Sequence, residues 1–190
     1  MAGTLVPGDR LIVLDIAGRF QVSQAPVREA LERLKQEGLI VGQTNKGSVV
    51  SPVTAKEIRD LIILREMVEG FAVRETMATL IDADFNYLEQ LIEQMGIAEQ
   101  ENNLMRLLEM DMEFHGFFYY RCNNAAVIDL WDHMKTKLMR FMAVSKQYYA
   151  NEGTVSWHNE LMDALRSGDP DIAEKQFIKH MHAYKMIHIE

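Results

Sequence analysis

Cysteine is almost absent from this chain: Cys122 is the only one in 190 residues. That excludes an internal disulfide and any zinc site built on cysteines, and it suits a reducing cytosol, where the chain is expected to reside. Long apolar runs are missing too. No stretch approaches the roughly eighteen to twenty apolar residues that span a bilayer, so no membrane association is expected. A signal-peptide pattern is lacking, because Asp9 and Arg10 appear with no apolar segment before them. There are no internal repeats and no low-complexity tracts. Positive charge is scarce, with 20 Lys/Arg against 28 Asp/Glu and a net charge of −8, which argues against a general nucleic-acid binder. The scarcity is uneven. Residues 1–53 hold six Lys/Arg and five Asp/Glu (+1), and the remaining 137 residues hold fourteen and twenty-three (−9). Only the N-terminal part would tolerate an anionic polymer.

What is present falls into two parts. In the first, residues 1–53, Leu11–Phe20 reads as a short helix, Gln21-Val22-Ser23 as a turn, and Gln24–Gln36 as a second helix. Ser23 is a suitable N-cap, Pro26 is tolerated in the first turn, and Ala30, Leu31 and Leu34 form the apolar face. Gly38 ends the helix. Two β-rich runs, Leu39–Val41 and Ser48–Val50, flank Thr44-Asn45-Lys46-Gly47 and read as a hairpin. Helix, turn, helix, hairpin is the order of a winged helix-turn-helix.

The second part, residues 54–190, reads as helical throughout. Thr54 and Glu57 form a capping-box pattern. Helices are placed near 54–80, 83–100, 102–121, 124–150, 154–166 and 170–188, with Asp82 capping the second and Asp169-Pro170 starting the last. The expected fold class is therefore mainly α: a winged helix-turn-helix followed by an all-α antiparallel bundle. The thirteen methionines are read as gap-fillers of that bundle's core rather than copper ligands. Phe117-Phe118-Tyr119-Tyr120 covers every face of one helix, so part of it should reach a second surface.

In a helix-turn-helix the second helix enters the major groove with its N-terminal residues against base edges. Here those residues are Ser23, Gln24, Ala25 and Arg28. Gln pairs bidentately with adenine, and Arg with guanine or phosphate. Asn45, Lys46 and Gly47 at the hairpin tip would meet the DNA backbone or minor groove. On periodicity alone, any small amphipathic helix before a hairpin looks the same. The strings Pro7-Gly8-Asp9-Arg10-Leu11, Val22-Ser23-Gln24-Ala25-Pro26-Val27-Arg28-Glu29-Ala30-Leu31, Glu37-Gly38-Leu39 and Asn45-Lys46-Gly47 closely resemble the GntR family of regulators. That resemblance implies a homodimer on palindromic double-stranded operator DNA. Two features depart from it. Gln24-Ala25 stand where the family usually has Arg-Thr. The family's first helix would precede Gly3, where this chain has no room, so the sequence is truncated, its start is misassigned, or the module is incomplete. Leu11, Ile16 and Phe20 should then lose part of their cover.

Polar residues interrupt apolar stripes in the second part. Leu104, Leu108, Asp111, His115 and Phe118 share one helical face; so do Val155, His158, Met162 and Leu165, and so do Ala173, Phe177 and His180. A single histidine on such a face is ordinarily a hydrogen-bonded core residue, and an aspartate four before it a local pair. Three inward histidines and one aspartate, however, are the ligand types of zinc, nickel or another divalent first-row metal. Asp111-Met112-Glu113-Phe114-His115 with Asn124 is similar to the D-x-x-F-H…N signature of the FCD sensor domain, the FadR-type C-terminal domain of GntR regulators. His158 and His180 match the remaining ligands in order. The resemblance implies a divalent metal at Asp111, His115, His158 and His180, zinc first, with nickel or manganese as alternatives. His133 is read as a surface residue.

Arg65 and Glu69 lie on the stripe Ile58, Ile62, Arg65, Glu69, Ala72. One reading is an intrahelical ion pair. The other follows from Leu64-Arg65-Glu66 with Glu69, which resembles the family's cavity-lining first sensor helix: Arg65 would bind a small carboxylate effector with one oxygen near the metal. The leading expectation is a ligand-responsive repressor with no catalytic residues. A metal-dependent enzyme and a metal-sensing regulator are the alternatives. Glu113, two residues from Asp111, points elsewhere, and no other candidate general base is evident, which weighs against the enzyme.

Overall fold

The structure is a computed structural model that describes residues 5–43, 47–52, 54–144 and 153–185. They belong to two compact units, Met1–Thr54 and Ala55–Glu190.

The first unit contains β1 (Arg10–Leu11), α1 (Val13–Phe20), α2 (Gln24–Gln36), β2 (Ile40–Gln43) and β3 (Gly47–Val50). The expected helix over Leu11–Phe20 needs correcting at its start. Leu11 belongs to β1, which pairs antiparallel with β3, Arg10 opposite Val49 and Leu11 opposite Ser48. The sheet order is β1-β3-β2, with Ile40 opposite Val50 and Gln43 opposite Gly47 in the hairpin. A two-residue strand carries too little alternation to be legible in a sequence; only its partner β3 reveals it. Between α1 and α2, Gln21 takes the left-handed conformation and the Val22 amide closes back on the Ala17 carbonyl at 3.0 Å. This bond satisfies an end carbonyl of α1 and sets the turn. Ser23 stands at the N-cap of α2, but its side chain makes no capping hydrogen bond. The core is Ala17, Val27, Leu31 and Ile40, with Leu11, Val13, Ile16 and Leu34 half-buried around it. Val27 takes the place expected of Ala30, which is exposed. Phe20 is 62% exposed. Gly38 ends α2 with φ +74, and its carbonyl accepts the Ser51 hydroxyl at 2.8 Å.

The second unit packs α3 (Ala55–Met77), α4 (Asp82–Gln100), α5 (Leu104–Arg121), α6 (Ala125–Val144), α7 (Thr154–Arg166) and α8 (Pro170–Lys185). α5 is the central helix: it packs on α3, α4 and α6, and it buries residues around most of its circumference, Leu107, Leu108, Asp111, Met112, Phe114, His115, Gly116, Phe118 and Tyr119. α8 closes the bundle against α3 and α7. Small residues permit the closest approaches. A Cβ at Gly116 would lie 2.9 Å from the Trp131 indole nitrogen, and one at Gly70 would lie 3.2 Å from Glu174 and Ile178. The helix starts follow local hydrogen bonding. Asp169 accepts the amides of Asp171 (2.8 Å) and Ile172 (3.4 Å), and Asn124 accepts those of Ala126 and Val127. Asp82 does not cap α4; Ile81 is the N-cap, and Asp84 reaches back to the Ile81 amide at 2.9 Å. Phe118 and Tyr119 are fully buried, whereas Tyr120 is exposed. Among the described residues, no helix is long and apolar enough to cross a membrane.

Candidate metal centre

Three helices deliver the polar side chains to one point inside the second unit. α5 supplies Asp111 and His115 one turn apart, α7 supplies His158, and α8 supplies His180. All four are buried, and one ligand atom from each lies within 4.8 Å of the others. The imidazole centroids are 5.1–5.3 Å apart. Phe114 stands edge-on to His158 at 4.8 Å, and Phe177 edge-on to His115 at 6.1 Å. These rings wall the cluster from the rest of the core.

The orientation of each ring follows from its other nitrogen. His158 Nδ1 donates to the Thr154 carbonyl at 2.8 Å. A carbonyl can only accept, so Nδ1 carries the proton and Nε2 keeps a lone pair. His115 Nδ1 donates to the Glu69 carboxylate, with the same result. The inward-facing Nε2 atoms of His115 and His158, and Oδ2 of Asp111, are buried without a hydrogen bond. Buried polar atoms are almost always satisfied, and lone pairs converging from a carboxylate and imidazoles are what a divalent cation requires.

Electrostatics support that reading. Burial would raise the Glu69 carboxyl, but Arg65 and His115 beside it pull it down to about 2. Glu69 is thus ionised and neutralised by Arg65, whose Nε donates to it at 2.6 Å. Burial likewise opposes ionisation of Asp111, and the facing imidazoles of His158 and His115, with Arg65 further off, hold it well below the usual carboxylate range. Burial lowers His115; burial and then the two neighbouring histidines push His180 well below its ordinary value. The ion pairs of Asp111 among the described residues are with His115 (3.8 Å) and His158 (3.3 Å). The residues present therefore fit a divalent ion: Asp111, His115, His158 and His180 would hold it, with Glu69 and the Thr154 carbonyl fixing two of the rings. A cleft of about 190 Å³ between α7 and α8, lined by Trp157, Glu160, Gln176, Lys179 and His180, reaches the cluster from outside.

Arg65 is itself buried, 5.9 Å from the Trp131 ring centroid, and makes the intrahelical pair with Glu69. The part of Glu69 that its own helix does not disclose is the link to His115 on α5, with Tyr119 also donating to it at 3.3 Å. Its place in a buried stripe was a signal; its partner lies 46 residues away. Glu113 is exposed and accepts from Tyr87, and His133 is exposed. In the first unit Ser23, Gln24, Ala25 and Arg28 are all exposed at the start of α2, and Arg28 donates to the Gln24 side chain at 3.0 Å. Gly47 opens β3 with φ +73. Asn45 and Lys46 lie outside the described residues.

Comparison with known proteins agrees with this architecture. Residues 60–183 match the FCD domain, and residues 1–50 match the bacterial regulatory proteins of the gntR family. The chain therefore belongs to the FCD-containing branch of the GntR family, whose members are transcription regulators and not enzymes. It is 26% identical over 178 residues to the HTH-type transcriptional repressor RspR of Escherichia coli K12, covering 93% of this chain and 78% of that one. It is also 26% identical over 188 residues to a probable D-xylose utilization operon transcriptional repressor of Paenarthrobacter nicotinovorans, covering 96% and 80%. Among solved structures, a putative GntR regulator from Rhodococcus sp. RHA1 superposes with a TM-score of 0.82 at 23% identity, covering 95% of this chain and 86% of that one. E. coli McbR/YncC does so with a TM-score of 0.80 at 21% identity, with the same coverage.

Proposed function

We propose that this chain is a cytoplasmic repressor that binds a two-fold operator as a homodimer and is released when a small carboxylate joins a divalent metal in the helical unit. Residues 1–53 would be the DNA-binding domain and 54–190 the effector domain. The observation that carries the reading is the convergence of Asp111, His115, His158 and His180, all buried, with inward nitrogen lone pairs. One carboxylate and three neutral imidazoles leave a bound divalent ion with a net positive charge. Such an ion, zinc first, with nickel or manganese next, would supply a Lewis-acidic centre with room for an outside carboxylate oxygen. Arg65 would help fix that anion, exchanging part of its hold on Glu69 for the ligand. The relatives named as repressors favour release over activation. On the DNA side, Ser23, Gln24, Ala25 and Arg28 would read the major groove, with Asn45, Lys46 and Gly47 on the backbone or minor groove.

The decisive experiment measures metal content and effector response together. Wild-type protein should copurify with a divalent metal, and His158→Ala or His180→Ala should lose it. Small organic and sugar acids should weaken operator binding by the metal-loaded protein. They should not do so with metal-stripped protein or with Arg65→Lys, which keeps a charge for Glu69 but loses the planar fork. Full metal occupancy in both histidine variants would overturn the ligand assignment. An equal acid response in all three proteins would place the effector elsewhere.

A further inference from the structure

The four candidate ligands differ in how they meet solvent. Asp111 is 2%, His115 0% and His158 0% exposed, whereas His180 retains 7%, and His180 lines the cleft between α7 and α8. Elsewhere the cluster is backed by buried groups. Phe114 stands against His158 and Phe177 against His115, and the buried Arg65–Glu69 pair lies behind His115. The cleft therefore gives solvent a path to the ligand nitrogens past His180.

The mouth of the cleft is built from neighbours of the ligands. Trp157 precedes His158 and Lys179 precedes His180, while Glu160 on α7 faces Gln176 on α8. Trp157, 41% exposed, forms one wall against Gly153, where a Cβ would come within 3.1 Å of the indole. Glu160 accepts from the Gln176 amide at 2.8 Å and lies 3.8 Å from the Lys179 ammonium. These two links tie α7 to α8 across the mouth. The Glu160 and Lys179 side chains are 51% and 71% exposed, so their attraction is weak and readily exchanged for water.

A divalent ion arrives with its hydration shell, and stripping that shell in one step is expensive. The cleft holds about 190 Å³, enough for several waters. Its lining includes one carboxylate, Glu160, which would offset part of the ion's charge while its waters are lost.

We propose that the cleft between α7 and α8 is the passage of a divalent cation to and from the buried centre. Glu160 receives the ion from solvent, and Lys179 competes with the ion for Glu160. Glu160 and Lys179 thus set how fast the metal exchanges, whereas Asp111, His115, His158 and His180 set how tightly it is held. The proposal rests on the metal reading above and assigns its route.

A group met only in transit lowers the barrier equally in both directions. It changes both rates and leaves their ratio, the dissociation constant, unaltered. Zinc is the probe. Its uptake by metal-stripped full-length protein is followed with a chromophoric chelator, and its loss by transfer from loaded protein to excess chelator. Glu160→Gln keeps the size and a bond to Gln176 but loses the charge, and should slow both steps about tenfold. Lys179→Met frees Glu160 and should speed both. The zinc dissociation constant and the metal-free melting temperature should match wild type in both variants, since both side chains are exposed and neither is a ligand. Added salt should narrow the differences among the three proteins. A wild type that binds no zinc would overturn this inference and the metal reading together. Zinc exchange at the wild-type rate in both variants would overturn the passage alone. So would a Glu160→Gln protein with weakened affinity and an unchanged uptake rate.

Discussion

Glu69 shows how much rests on a single side chain. It touches none of the four candidate ligands' inward atoms, yet its carboxylate fixes the proton on His115 Nδ1 and so leaves the Nε2 lone pair facing the cluster. A histidine oriented by an anion is also a stronger donor to a metal. Glu69 neutralises the buried Arg65 as well. Glu69→Gln keeps an acceptor for Nδ1–H and removes the charge. Metal affinity should then fall roughly tenfold to a hundredfold, read by competition with a chromophoric chelator. Stability should fall too, because Arg65 is left buried beside a neutral group. Unchanged metal affinity would mean that His115 does not depend on Glu69 for its orientation.

In α2, the proposed recognition helix, two candidate DNA-reading residues are already linked. Arg28 and Gln24 are one turn apart, and the guanidinium donates to the amide oxygen in the unbound protein. They occupy the same stretch of surface, with Val27 and Leu31 on the opposite side anchoring the helix in the core. Arg28→Ala should weaken operator binding by roughly 1–3 kcal/mol if the arginine reads a base, with a smaller effect on unrelated DNA. Titrations at several salt concentrations check this. An equal loss on every sequence, with a shallower salt dependence, would make Arg28 a phosphate contact instead.

At the scale of the whole molecule, the buried histidines couple folding to pH. His115 and His180 are lowered in the fold, chiefly by burial. The unfolded chain, with ordinary imidazoles near 6.5, then binds more protons than the folded one as the pH drops below that value. Stability therefore declines with falling pH. Glu69 acts in a separate window: lowered to about 2 from 4.5, it contributes above the latter value, and that contribution is lost as the pH falls toward the former. Metal-free protein should melt at a lower temperature at about pH 5.5 than at about pH 7.5. Zinc should raise the melting temperature further, and His158→Ala should remove most of that increment. A zinc increment unchanged in His158→Ala would argue against histidine ligation.

Helical period, end signals and the order of elements are local, and the chain states them openly. The apolar spacing of α3 to α8, the Asp169-Pro170 start and the Asn/Gly hairpin can each be read without knowing what lies across the core. The same local reading put histidines on three apolar faces and Arg65 with Glu69 on a fourth. Other features depend on contacts between segments distant in sequence. β1 exists only because β3 lies beside it. Val27 is buried and Ala30 exposed because of where α1 and the sheet stand. Glu69 became a partner of His115 only when α3 packed on α5. That the three histidines share one point is also a tertiary fact: periodicity sets the face on which a side chain lies, whereas helix packing alone sets which faces meet.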